Sequence, residues 1–551
     1  MAKVLDQLRE MDLRERVGTV NAPGIASLGE FEGNGVAFAA GHSKLEALYY
    51  RAVHDLMNCV VENEDKSRML IEGAEFIGCW LESTGTINTE IFSRFCPETA
   101  KNTFLLFAEH RRSDGLIPYK VTAAGPAYRQ VQMVTPLARS VWTLYCRNHD
   151  KDFLRTMYQG IKDNDAWLVR NRNTRGTGCV EAFGTFDTGH DASPRFWHVP
   201  DVPFMDDPSR YDPDSPILPF LAPDMTANVY CQRKYMAKMA EALGLEREEI
   251  TFWTQKSAQS LESLMTHCYD PTDEFFYDRD RSDRFVRVQT DNFIRVFACE
   301  AGSDEMFRRG LERYLLNTRK FFTRYPITTI AIDDPRYHQA YTHNSWAGQV
   351  SFLTQARLTR AFEYHRRYVE LTWIMHPILT ALSRFTKFTG SLCGWLGHQG
   401  YGENYTPTML CLLDYVERMC GICEIDEGSL WFTSLVLQGM DYGDPVAPET
   451  AYRRKIDGIT YELENNAEES KLYTDGKLRY IFPHGVRLVT YRDGRIQGLI
   501  GMVPRKVIGT VIAGTHRMPF EIEGNELQRL EGERFVSTEK NGVVLPRYGD
   551  C

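Results

Sequence analysis

The sequence predicts a mainly α protein, an array of helical hairpins closing into a toroid, followed by a small β domain at the C-terminus. Three observations predict it. From about Ser43 to Gly439, segments with apolar residues at every third or fourth position follow one another, joined by loops rich in Gly, Pro, Asp and Asn. No strand-like runs alternate with them, which argues against an α/β barrel. After about Tyr442 the texture changes to short apolar alternations punctuated by Asp457-Gly458, Asp475-Gly476 and Asp493-Gly494, dipeptides suited to hairpin turns.

The clearest helix covers residues 43–61, where Leu45, Leu48, Tyr49, Ala52, Val53, Leu56, Met57 and Val60 share one face. Helices are also predicted at 98–110, 135–148 and 153–171. The next pair is a hairpin: 225–243, stopped by Gly244 where a left-handed cap is wanted, then 248–268 with Ile250, Trp253, Leu261, Leu264 and Met265 on its buried side. Further helices are read at 304–319, 349–364 and 409–420, and strands at 477–482 and 485–491. The organisation that follows is an N-terminal extension over 1–42, a toroid over 43–441 and a β-rich domain over 442–551 that covers it.

Composition narrows the function. Of 551 residues, 43% are hydrophobic and 25% charged, the balance of a globular chain able to bury a core. A net charge of −10 without any basic tract opposes a nucleic-acid partner. Residues 1–15 are charged throughout and lack the apolar stretch of a secretory signal, so a cytoplasmic location is expected. The most apolar stretch, 373–382, is interrupted by His376 and Pro377 and is too short to span a membrane. Thirteen Cys are scattered and include a lone C-x-x-C at Cys420 and Cys423, which reads as reduced thiols with no metal and no cofactor. A homo-oligomer is compatible with all of this.

Two loops carry the chemistry. Residues 186–196 hold Asp187, His190, Asp191 and Arg195 among turn formers, and residues 398–407 surround Glu403 with Gly, amide and aromatic residues. Two carboxylates on opposite sides of one pocket are what glycoside hydrolysis needs, one protonated to donate to the leaving oxygen and one ionised to act on water or carbon. Trp80, Phe196, Trp197, Trp346, Trp395 and Tyr405 offer flat apolar surfaces for sugar rings, although large aromatics also dominate cores.

From about Gly78 to Glu403 the chain resembles glycoside hydrolase family 63 and its relatives, including the mannosylglycerate and glucosylglycerate hydrolases. The resemblance is collinear: Gly78-Cys79-Trp80-Leu81-Glu82, Asp114-Gly115-Leu116-Ile117-Pro118, Asp152-Phe153-Leu154 with Trp167, Thr188-Gly189-His190-Asp191-Ala192-Ser193-Pro194-Arg195, Pro223-Asp224-Met225, Phe275-Phe276-Tyr277-Asp278, Asn344-Ser345-Trp346-Ala347-Gly348-Gln349 and Gly402-Glu403-Asn404-Tyr405. It implies an (α/α)6 toroid of six hairpins and an inverting, exo-acting hydrolase of an α-linked sugar, with Asp191 as general acid and Glu403 as general base.

The same resemblance implies that Trp80 and Glu82 hold the non-reducing sugar, with Gln132, Trp346 and Gln349 in the same pocket. Asn404, Tyr405 or the backbone amides of Gly400 and Gly402 would hydrogen-bond the base. Arg111, Arg112, His190 and Arg195 would neutralise an acidic aglycone. Thr188, Ala192, Glu82 and Gly348-Gln349 depart from the family's usual Ser, Asn, Asp and Gly-Pro, so the sugar is not carried over. The substrate class is a small oligosaccharide or glycoside. Rival readings are a uronate-cleaving lyase on the same toroid, using His190, His343 or Tyr401 as base, and a non-catalytic sugar-binding protein.

Overall fold

The computed structural model describes residues 3–548 apart from 64–65, 74, 426–427 and 438–445. In chain order its ring contains α1 (Lys44–Asn58), α2 (Thr89–Phe92), α3 (Pro97–Glu109), α4 (Leu137–Asn148), α5 (Lys151–Asn171) and α6 (Pro223–Leu243). The second half adds α7 (Arg247–His267), α8 (Asn292–Ala298), α9 (Asp304–Gly310), α10 (Phe352–Tyr364), α11 (Tyr368–Leu382) and α12 (Thr406–Cys420). Odd-numbered helices form an outer layer and even-numbered ones an inner layer. Each inner helix packs on the next, from α2 to α12, and α12 returns to α2, which closes the (α/α)6 toroid.

Local chemistry places these elements. Ser43 caps α1 by accepting from the Glu46 amide, and Asp150 caps α5 by accepting from the amides of Asp152 and Phe153. α6 ends at Gly244, whose φ of 71° is the left-handed conformation the sequence calls for there. Burial separates the layers: α7 buries only Trp253, Ser257, Ser260 and Leu264, whereas every residue of α12 is buried. Each fully buried Leu or Phe on such an inner helix contributes roughly 1.5–3 kcal/mol relative to exposure.

The single helix expected at 304–319 is shorter and changes pitch. α9 stops at Gly310 and a π turn follows over Leu311–Leu315. A side chain at Gly310 would meet the Phe293 ring of α8 at 2.0 Å, so the two helices touch here as only a glycine permits.

The C-terminal part is two antiparallel sheets. Their strands are β1 (Ala37–Ala39), β2 (Ile422–Glu424), β3 (Ser429–Thr433), β4 (Thr450–Ile456), β5 (Ile459–Asn465), β6 (Glu469–Thr474) and β7 (Lys477–Pro483), then β8 (Val486–Tyr491), β9 (Ile496–Gly501), β10 (Val507–Ala513), β11 (His516–Ile522), β12 (Glu526–Glu531) and β13 (Arg534–Lys540). One sheet runs β1-β4-β5-β6-β7-β10-β11 and the other β2-β3-β8-β9-β12-β13. The Asp457-Gly458 and Asp475-Gly476 turns join β4 to β5 and β6 to β7 with positive φ at both residues, as a type I′ turn requires.

The expected N-terminal extension over 1–42 contributes β1, which pairs with β4 in the register Ala37↔Arg453, and Arg9, which bridges Glu462 at 2.6 Å. The β structure starts at Ile422, directly after α12. The expected junction at 441–442 lies outside the described residues. Among the described residues no helix is long and apolar enough to cross a membrane.

Candidate active site

Five loops that lead into the N-termini of inner helices converge over one end of the ring. They contribute Glu72, Phe76, Trp80 and Glu82 ahead of α2, Gln132 ahead of α4, Gly189 and Asp191 ahead of α6, His343, Asn344, Trp346, Gln349 and Ser351 ahead of α10, and Gly390, Ser391, Tyr401, Gly402 and Tyr405 ahead of α12. Together they line a small cavity of about 60 Å³, enough for a few waters.

The loop bearing Asp191 is held from below by buried ion pairs. Arg172 donates to both oxygens of Asp187 at 2.6 and 3.1 Å, and Asp187 also accepts from the amides of Val131, Phe183 and Gly184. Arg195 forks onto two carboxylates at once, Asp224 at 2.7 and 2.8 Å and Asp278 at 2.6 and 2.7 Å. Arg295 donates to the Thr188 carbonyl at 2.5 Å. His190 accepts from Arg195 on Nδ1, lies 2.8 Å from Asp291 through Nε2, and packs against Trp346 with ring centroids 4.9 Å apart. Burial pushes its pKa down to about 4, so it stays neutral. Gly189 and Ala192 flank Asp191 with φ of 65° and 54°, so the chain turns sharply on both sides of the carboxylate.

Asp191 projects into the cavity and accepts one hydrogen bond from Asn344 Nδ2 at 2.9 Å. Desolvation pushes its pKa up to about 7, against the stabilising effect of Asn344 and Arg295. Glu82 stands against the same loop: a Cβ placed on Gly189 would lie 1.6 Å from Glu82 Oε2. It receives Gln132 Nε2 at 3.2 Å. Burial first, then the neighbouring charges of Asp191 and Glu72, raise its pKa to about 8, while Arg357 and Arg295 oppose the rise. Glu72, the third carboxylate on the wall, is 2% exposed and accepts from Ser83, Thr84 and Tyr405.

Several residues singled out in the sequence do line this cavity: Trp80, Glu82, Gln132, Asp191, Trp346, Gln349 and Tyr405. Others do not. Glu403 is the main departure. Its side chain is 55% exposed and pairs with Lys387 Nζ at 2.6 Å, while its neighbours Gly402 and Tyr405 form the wall. Asn404 takes a left-handed φ of 56° and turns its backbone, not its amide, toward Gly73. Arg111 pairs with Asp163 and Arg112 with Asp114, away from the cavity, because both follow the outer helix α3. Arg195 and His190 are consumed by the buried frame and face no ligand. Among the described residues, no Arg or Lys lines the cavity.

Sequence reasoning missed Glu72, Asn344 as the partner of Asp191, and the buried Arg295 and Arg357. Asn344 stood inside a recognised motif. Glu72 had no local signal, since its three hydroxyl donors come from residues 83, 84 and 405.

Residues 89–409, more than half of the chain, match the family described as the mannosylglycerate hydrolase MGH1-like glycoside hydrolase domain. Among solved structures, a GH63 mannosylglycerate hydrolase from Thermus thermophilus in complex with Tris superposes with a TM-score of 0.55 at 16% identity, covering 66% of this chain and 99% of that one. A GH78 family rhamnosidase of a Bacillus species gives 0.53 at 10% identity, over 78% of this chain and 40% of that one. A protein named sialidase gives 0.61 at 14% identity, over 88% and 44%. No curated protein matches. These structural likenesses establish the toroid with its β domain, and the family match establishes the enzyme class. The chain belongs to the mannosylglycerate hydrolase MGH1-like family of glycoside hydrolases.

Proposed function

We propose that the protein is an inverting, exo-acting hydrolase of a small α-linked glycoside, with Asp191 as the general acid. The observation that carries this reading is the state of Asp191: a carboxyl in a cavity at the inner-helix N-termini, carrying one hydrogen bond, with a pKa raised to about 7. Such a group holds its proton at neutral pH and can deliver it to a leaving oxygen. One terminal sugar would lie against Trp80 and Trp346, with Gln132 and Gln349 as amide partners for its hydroxyls.

An acidic aglycone would find its counter-charge at Lys120. That ammonium lies 5.0 Å over the Trp80 ring, and no carboxylate among the described residues pairs with it. The T. thermophilus relative by its name acts on mannosylglycerate, a glycoside of this kind.

The test is a panel of α-glucosides, α-mannosides, α-galactosides and α-rhamnosides with neutral and glycerate-type aglycones, scored for free monosaccharide and, by proton NMR, for its first-formed anomer. One member should release the inverted sugar, and Asp191→Asn should lower that turnover by about 10²–10⁴-fold. Release of an unsaturated product instead would mean elimination, and a retained anomer would remove the inverting mechanism.

A further inference from the structure

A second and much larger cavity lies at the other end of the ring, and we infer that it binds a neutral oligosaccharide, separately from the catalytic site. Its volume is about 820 Å³ against about 60 Å³ for the first, within the roughly 300–1,000 Å³ typical of small-molecule sites. One wall is made by the inner helices toward their C-termini, with Arg147 of α4, Lys238 of α6, Tyr364 of α10 and Arg418 of α12. The opposite wall is the second sheet, with Trp431 of β3 and Leu499 of β9. The chamber is therefore built where the β domain meets the ring.

Aromatic rings with unspent donors mark it as a site. Trp431 and Tyr368 meet edge to face with centroids 5.8 Å apart and are 9% and 6% exposed. Both line the chamber, and among the described residues neither the Trp431 indole N–H nor the Tyr368 hydroxyl has a hydrogen-bond partner. Buried Trp and Tyr normally find one, so the missing acceptors must come from whatever fills the chamber. Arg487, which is not part of the wall, lies 4.2 Å from the Trp431 ring and holds it in place. Gln497 spends its Oε1 on the Ser429 hydroxyl at 2.8 Å and keeps its amide N–H groups. On the helical side, Trp142 is half-buried, with Lys238 Nζ 5.9 Å over its ring. Two flat rings, one on each wall, suit more than one sugar unit.

Charge opposes an anionic occupant. Every Arg lining the chamber among the described residues already has a carboxylate: Arg94 with Glu417 at 3.1 Å, Arg147 with Glu424 at 3.1 Å, Arg360 with Glu90 at 3.0 Å, Arg366 with Glu539 at 2.5 Å, Arg418 with Glu363 and Arg529 with Glu531. Lys234 is likewise paired with Glu300 at 2.7 Å. The helix C-termini add partial negative charge and carbonyls without intrahelical donors. A phosphate or carboxylate would have to displace one of these pairs. A sugar would not: its apolar face covers an indole, its hydroxyls donate to helix-end carbonyls, and its oxygens accept from Trp431, Tyr368 and Lys238.

The experiment is hydrogen–deuterium exchange by mass spectrometry on the full chain carrying Asp191→Asn, so that the probes survive. Maltotriose, α-mannotriose and inorganic phosphate are each titrated to about 20 mM. At least one trisaccharide should slow exchange in β3, β8 and β9 saturably and raise Tm, because it bridges sheet and helices, and phosphate should do neither. Adding Trp142→Ala or Tyr368→Phe should weaken the apparent affinity by about three- to tenfold, the worth of one stacked ring or one hydrogen bond. Trp80→Ala, in the catalytic cavity, should leave it within about twofold. Melts without sugar identify any variant that fails to fold, and Tyr368→Phe, which removes one oxygen and keeps the ring, carries the test if Trp142→Ala does. Protection confined to the loops around Asp191, protection unmoved by Tyr368→Phe, or protection by phosphate alone would overturn the assignment. So would silence from both trisaccharides, which would leave the chamber to water.

Discussion

Replacing Gly189 by Ala tests the architecture of the site without removing any chemical group. A Cβ there would sit 1.6 Å from Glu82 Oε2 and 2.7 Å from its carboxyl carbon, at a φ of 65° that L-residues avoid. To regain ordinary contact the carboxylate must withdraw by roughly 1.5–2 Å. A displacement of about 1 Å at a group that lines the site costs on the order of 10²-fold in rate, so kcat should fall by at least that factor. The backbone penalty is about 1–3 kcal/mol, which in a chain of this size lowers Tm by only a few degrees. Steady-state kinetics on the released-sugar assay, beside calorimetry of both proteins, separates the two effects. A folded Gly189→Ala enzyme with wild-type kcat would show that Glu82 is not held against this loop during turnover, and the reasoning about its position would fall.

Other outcomes follow from the same geometry. Asp191 and Glu82 hold protons in the folded protein that the unfolded chain has already lost, so their linkage contributes fully below about pH 4 and is lost as pH climbs through about 7 and about 8. Asp191→Asn should therefore melt above wild type at about pH 8.5, with the gap closing toward about pH 4; an unchanged gap across that range would contradict the raised pKa. Lys120→Met should raise KM for a glycerate-type aglycone by about three- to fivefold, the worth of one half-exposed ion pair, and leave a neutral aglycone unaffected. Arg195→Met strands two buried carboxylates, Asp224 and Asp278, and should destabilise by about 3–5 kcal/mol in chemical denaturation; a change under about 1 kcal/mol would mean the frame relaxes around the loss.

The ring was legible because its signals are local. Ser43, Asp150 and Gly244 mark helix ends by short-range hydrogen bonding and backbone preference, and the apolar faces of α1 and α6 repeat with the helical period. The start of the β domain was less so. β2 and β3 are short, follow α12 without a break, and read as a continuation of its apolar run. At the site, motif order located Asp191, Trp80, Glu82 and Trp346, because loops at helix N-termini keep their sequence order around a closed ring.

Side-chain direction was the part the sequence withheld. Glu403 and Tyr405 are two residues apart, yet one faces solvent and the other is 7% exposed in the wall, a difference set by the left-handed turn at Asn404 and by Lys387. Charge alone also misled. Arg195 and His190 look like ligand-binding groups until their partners Asp224, Asp278 and Asp291 are placed, and those lie 29 to more than 100 positions away.

The pairing of β1 with β4 has a consequence for biogenesis. β1 finds its neighbour only after residue 450 has left the ribosome, which at about 5–20 residues per second means roughly 20–80 s of waiting. During that time Ala37, Phe38 and Ala39 lack the part of their native cover that β4 supplies, an opportunity for chaperone capture or for mispairing with another nascent copy.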